Sequence, residues 1–169
     1  KNAGWVDVFW TFGTGAACVA AALWPSESSS LARQVLVASL GAIWSLRLGL
    51  FIAARVARSD SEDARYAGLR KEWGVRFQPL MFALVIVQAP ATALLILSVF
   101  PAAHGGIPGL GIRDLLGALV LVAAIAGEGL ADEQMRRFKQ TAARGAIMDR
   151  GLWSWSRHPN YFFEWFGWL

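Results

Sequence analysis

Residues 79–100 read PLMFALVIVQAPATALLILSVF, a run of 22 residues without one charged side chain. A helix rises about 1.5 Å per residue, so a run of this length covers the roughly 30 Å hydrocarbon core of a bilayer. In lipid, backbone N–H and C=O groups must be satisfied within the segment, and a helix does that. The stretch therefore predicts a membrane-spanning helix from about Pro79 to Phe100. Pro90 falls inside it and predicts a kink. The carbonyl freed there can be satisfied by a neighbouring helix or by Gln88, two positions away.

Working outward, three more runs have the same character: Val6 to Trp24, Gln34 to Ala54 (broken only by Arg47), and Ile112 to Ala131. The last turns polar at its end. A fifth apolar run starts near Tyr161 and stops at Leu169. The expected fold is all-α, a polytopic transmembrane helical bundle of four full spans plus the start of a fifth. The chain opens on Lys1 and stops in mid-run, which reads as a piece cut at both ends. Composition agrees with a membrane protein. The chain is 56% hydrophobic and 17% charged, where soluble domains carry about 25% charged residues. Its mean hydropathy is +0.42. Cys18 is the one cysteine, so no internal disulfide framework exists, and small apolar filler is its expected role.

The net charge is +4. In a nucleic-acid binder the cations would share one solvated face. Here they sit between apolar runs, so no nucleic-acid partner is expected. Residues 25–33 hold one basic residue, Arg33, and residues 101–113 hold one, Arg113. Residues 55–77 hold six: Arg55, Arg58, Arg65, Arg70, Lys71 and Arg76. Residues 132–158 also hold six: Arg136, Arg137, Lys139, Arg144, Arg150 and Arg157. Low, high, low, high is the alternation a zigzag across a membrane should give. The positive-inside rule puts both basic loops, and Lys1, on the cytoplasmic side. His104 lies in the turn-rich stretch PAAHGGIPGLG and is expected in an outer surface loop.

Ionisable side chains inside spans are costly and mark function by default. Asp7, Arg47, Glu128, Asp132 and Glu164 are of this kind. In GEGLADEQMRRFKQ, residues 127–140, Glu128, Asp132, Arg136 and Lys139 fall on one helical stripe, acids first and bases last. An Asp132–Arg136 pair would be ordinary for an interfacial helix end. Glu128, a turn deeper, needs another reason. In GLWSWSRHPNYFFEWFGWL, residues 151–169, Pro159 predicts a break at His158 and a new helix from about Asn160. The start of that helix, with Arg157 and His158 beside it, suits phosphate. Asn160 and Glu164 share one face of it. The Trp residues and Tyr161 fit an interfacial aromatic belt. Together the two segments offer carboxylates and an amide for hydrogen bonds, and cations for phosphates, as a nucleotide with a diphosphate requires. The acids and His158 show no recognised ligand spacing, so no metal site is expected.

These residues resemble the bacterial DUF1295 family of the steroid 5-alpha-reductase superfamily. The resemblance rests on GLWSWSRHPNYFFEWFGW, VDVFWTFGTG, EDARYAGLRKEWG at 62–74 and EGLADEQMRRFK at 128–139, in that order. It implies a single reductase-like domain over 1–169, in a bacterial inner membrane, with a cytoplasm-facing NADPH site. The implied reaction reduces a conjugated carbon–carbon double bond in a hydrophobic, steroid- or isoprenoid-like substrate. Motif matching puts Asp132 and Asn160 at the cofactor, with Glu128, Arg136, Lys139, Arg157, His158, Tyr161 and Glu164 in the same matched segments. Arg136, Lys139 and Arg157 are assigned to phosphates. Two departures stand out. Phe163 occupies a position where the family usually has Gly, which would narrow the pocket. The steroid reductases polarise substrate with a Glu and a Tyr on early helices; here only Asp7 and Arg47 are early intramembrane ionisable groups, and they could equally pair with each other. EDARY, residues 62–66, reads as a solvated segment with Glu62 beside Arg65 and Tyr66, or as a latch over the cofactor mouth. The shared RHP-x-Y pattern keeps an S-adenosylmethionine-dependent methyltransferase as the alternative. A transporter or assembly factor is the non-enzymatic one.

Overall fold

A computed structural model describes residues 2–26, 29–59, 61–105, 109–143 and 145–168. Lys1, Arg144 and Leu169 lie outside the described residues. The expected all-helical architecture is present: no strand occurs among the described residues, and four helical runs are long and apolar enough to cross a membrane. The chain forms two compact units, Lys1–Gly109 and Leu110–Leu169.

The first unit begins with α1 (Trp5–Ala22) and α2 (Leu31–Ala57). On α1 the buried residues Val8, Thr11, Gly15, Cys18 and Ala22 recur every three or four positions, so they share a face. Hydrocarbon provides no hydrophobic drive to bring helices together, and close approach of backbones must do so instead. Small residues permit it here. Gly15 lies directly against Ser45 and Gly49 against the ring of Phe12, with no space for a Cβ at either glycine. Ser45 Oγ donates to the Thr11 carbonyl at 3.1 Å, a bond sealed inside the interface. Cys18 is the buried filler expected of it.

α3 (Ala64–Trp73) is a short helix that no apolar run announces. Asp63 caps its start by accepting from the Arg65 N–H at 3.0 Å. Gly74, at φ +50°, ends it in a conformation that suits glycine. After a single 3₁₀ turn, α4 (Phe77–His104) runs past both expected limits. Pro90 and Pro101 both sit within this helix. At one end Phe77 and Met81 pack with Tyr66, Ala3 and Val6. At the other, Ala103 packs with Ala22 and Ala38. Between these clusters α4 presents Phe82, Val87 and Leu94 outward, as a lipid-facing helix should. His104 is not in a loop: it closes the last turn of α4.

In the second unit, α5 (Ile112–Thr141) continues unbroken well beyond Ala131. Residues 133–139, EQMRRFK, include strong helix formers, so the helix persists after the apolar run ends. Asp114 Oδ2 accepts from the Gly111 N–H at 2.7 Å and fixes its start. A 3₁₀ turn at Gly151–Ser154 leads to α6 (Pro159–Gly167), with Pro159 at the first helical position as expected.

Candidate functional site

The predicted acid-to-base stripe lies on α5, and burial changes along it. Glu128 is 5% exposed and Asp132 is 8% exposed. Arg136 and Lys139 are exposed. The stripe therefore runs from protein interior to solvent. α6 lies alongside, and Asn160 Nδ2 donates to Asp132 Oδ1 at 3.4 Å. The two cofactor residues named by motif matching thus meet, across 28 positions of sequence. Asn160 Oδ1 is buried and accepts no hydrogen bond from the described residues. A buried amide oxygen without a donor costs about 1–3 kcal/mol, unless a ligand supplies the donor.

The geometry corrects other expectations. Arg136 does not pair with Asp132. It turns to Glu133, giving Nε and Nη2 to the two carboxylate oxygens at 2.6 and 2.7 Å. Arg137 Nε reaches the same carboxylate at 2.6 Å. These guanidinium groups hold the Glu133 carboxyl down at about 2, with the Arg136 hydrogen bond the largest cause. His158 stacks on Tyr161, with ring centroids 5.3 Å apart, and both are exposed. Arg157 is exposed. Glu164 accepts from Trp168 Nε1 at 3.1 Å. Phe163 turns onto α5, where Gly127 receives its ring. The bulk at the position expected to be glycine is thus taken up in helix packing.

Two residues of this unit were missed in the sequence. Gln134 Oε1 accepts from the Leu152 N–H at 3.0 Å and lies over Gly151, which has φ +60°. Trp153 Nε1 donates to the Ala131 carbonyl at 2.9 Å. Both tie the segment leading into α6 onto α5 beside Asp132. A tryptophan in a Trp-rich stretch reads as an interfacial anchor, so nothing in the sequence marked Trp153 as a strut.

The first unit holds a separate polar cluster. Asp7 pairs with Arg65, whose Nη2 lies 2.9 Å from Oδ2, and not with Arg47. Tyr66, 5% exposed, donates its hydroxyl to Asp7 Oδ1 at 2.7 Å. Arg47 sets its guanidinium over the Phe51 ring at 5.6 Å. Glu62 has neither expected neighbour. It accepts from the Ala3 N–H at 3.1 Å and from Arg70 at 2.7 and 2.9 Å. EDARY therefore fastens the start of α1 through Glu62 and Tyr66, while Ala64 and Arg65 stay exposed.

Fold and site together define an integral membrane protein of helices, with a buried carboxylate meeting a half-buried amide where one span passes into a polar extension. The chain belongs to the DUF1295 family. The family model, described as "Protein of unknown function (DUF1295)", matches residues 1–169. No curated protein and no solved structure matches the chain.

Proposed function

We propose that this protein is a membrane oxidoreductase that takes NADPH at the α5–α6 unit. Its substrate would be a hydrophobic, steroid- or isoprenoid-like molecule with a carbon–carbon double bond conjugated to a carbonyl. The observation that carries the reading is the unsatisfied Asn160 Oδ1 beside the Asp132 carboxylate. A buried amide oxygen that lacks a donor calls for a ligand that brings donors. The ribose hydroxyls and carboxamide of a nicotinamide dinucleotide are such donors. Glu128 lies buried on the same stripe, one turn deeper.

The phosphates need cations. Lys139 and Arg157 are exposed to meet them. Arg136 is engaged with Glu133, but an exposed ion pair of this kind is worth only about 0–1 kcal/mol, so a phosphate can take it over cheaply. His158 and Tyr161 offer a stacked aromatic platform. What the cofactor supplies when bound is a hydride. The proton that completes the reduction must come from another group. Under this reading the unit faces the cytoplasm of a bacterial inner membrane, where the dinucleotide is.

The test is thermal stability of the purified whole protein with NADPH, followed by NADPH oxidation against a panel of enones and isoprenoid lipids. A rise in melting temperature with NADPH and none with S-adenosylmethionine supports the reductase. The reverse pattern supports the methyltransferase. No response to either would leave a non-enzymatic membrane role as the better reading.

A further inference from the structure

We infer that Gln134 and Trp153 are positioning residues: they pin the strap of chain before α6, so that Arg157 stands ready for a cofactor phosphate. The inference rests on the reductase reading and concerns the second unit alone. The strap, residues 150–158, is tied at its start to α5. Gln134 Oε1 accepts from the Leu152 N–H at 3.0 Å, and Trp153 Nε1 donates to the Ala131 carbonyl at 2.9 Å. These two anchor points flank Asp132 in sequence, so the strap meets α5 at the level of that carboxylate. At its far end Pro159 opens α6.

α6 has its own hold on α5. The ring of Phe163 rests on Gly127, and Gly167 lies close against Ala124 and Leu121. What the two anchors fix is the arc between them and α6, residues 154–158. Each step of that arc is tied. Ser154 Oγ donates to the Gly151 carbonyl at 2.7 Å, and the Trp155 N–H donates to the Leu152 carbonyl at 3.2 Å. The His158 N–H donates to Ser156 Oγ at 3.2 Å, and the His158 carbonyl accepts from the Phe162 N–H at 3.1 Å. Arg157 is therefore held by its backbone while its side chain is exposed. Ordering a loose loop works against anion binding. Here the order exists before the anion arrives.

Gly151 makes the first anchor possible. Its φ is +60°, and a Cβ there would lie 2.7–2.8 Å from the amide atoms of Gln134. Glycine alone takes both the backbone conformation and the contact.

A double-mutant cycle on the whole protein in phosphatidylcholine nanodiscs tests this, read as the NADPH dissociation constant. Q134L removes the acceptor for the Leu152 N–H. W153F removes the indole N–H and keeps a ring. Each should weaken NADPH binding by about threefold to tenfold, the scale of one hydrogen bond. In an R157A background each should change it by less than about twofold, because the residue they position is gone. G151A should behave as Q134L does. Equal weakening in both backgrounds is what a merely structural role gives, and it overturns the inference, as does no weakening in either. If one of Q134L and W153F fails to fold, the other carries the cycle. A wild type that binds no NADPH sinks the reductase reading and this inference with it. A wild type that binds NADPH, with effects that simply add, sinks the inference alone.

Discussion

The ring of Phe163 on α6 rests on Gly127 of α5, in a space that a single added methyl group would fill. Large against small is how two helices reach close contact in an apolar medium. Here the contact also sets how α6 presents Asn160 to Asp132. Replacing Gly127 with Ala should cost about 1–3 kcal/mol by overpacking. A melting experiment checks this. The double variant G127A/F163L should recover part of the loss, because leucine lacks the ring that collides.

Asn160 separates stability from binding. Its Oδ1 has no partner to lose among the described residues, and its Nδ2 bond to Asp132 is long at 3.4 Å. N160A should therefore leave the melting temperature of the protein alone nearly unchanged. The added stability given by NADPH should fall, with affinity weaker by about three- to tenfold, the worth of one hydrogen bond. An unchanged NADPH response in a folded N160A protein would remove the main support for the reductase.

Tyr66→Phe deletes the hydroxyl that Asp7 Oδ1 accepts from. The Arg65 contact remains on Oδ2, so the carboxylate keeps its charge partner. The expected loss is about 1–3 kcal/mol, that of a carboxylate oxygen deprived of a donor. D7N should be milder than D7A, since an amide oxygen still accepts from Tyr66. Thermal unfolding of the three variants gives the order.

Glu62 makes the start of α1 acid-sensitive. Hydrogen bonding from Arg70 holds its carboxyl down at about 2, against an ordinary 4.5. A carboxyl depressed on folding contributes stability that is complete above its unfolded value and lost as pH falls through the folded one. The α3 segment should therefore loosen from about pH 4.5 downward, towards about 2. Hydrogen exchange in residues 61–73 reports it. E62Q should show the loosened level already at neutral pH.

The spans were legible because hydrocarbon demands long uncharged runs, and residues 79–100 meet that demand without ambiguity. Their ends were not, because helix formers such as those at 133–139 extend a helix after the lipid requirement has ceased. α3 was hidden for a related reason: ARYAGLRKEW has no apolar face to announce it, and its register comes from Asp63 and Gly74. The buried stripe of Glu128 and Asp132 could be read from spacing, since a misplaced charge is a strong signal. The choice of partner could not. Arg136 had acids three and four positions back, and rotamer geometry selected Glu133. Asp7 and Tyr66 lie 59 positions apart, a distance over which a sequence carries no register. His104 was misplaced because turn-rich neighbours on one side outweighed the helix on the other.

The tight seam between α1 and α2, glycine against serine and glycine against phenylalanine, bears on how the protein is made. This hairpin makes these contacts without later segments. It can leave the insertion machinery as a finished post, on which α4 docks when synthesis reaches it.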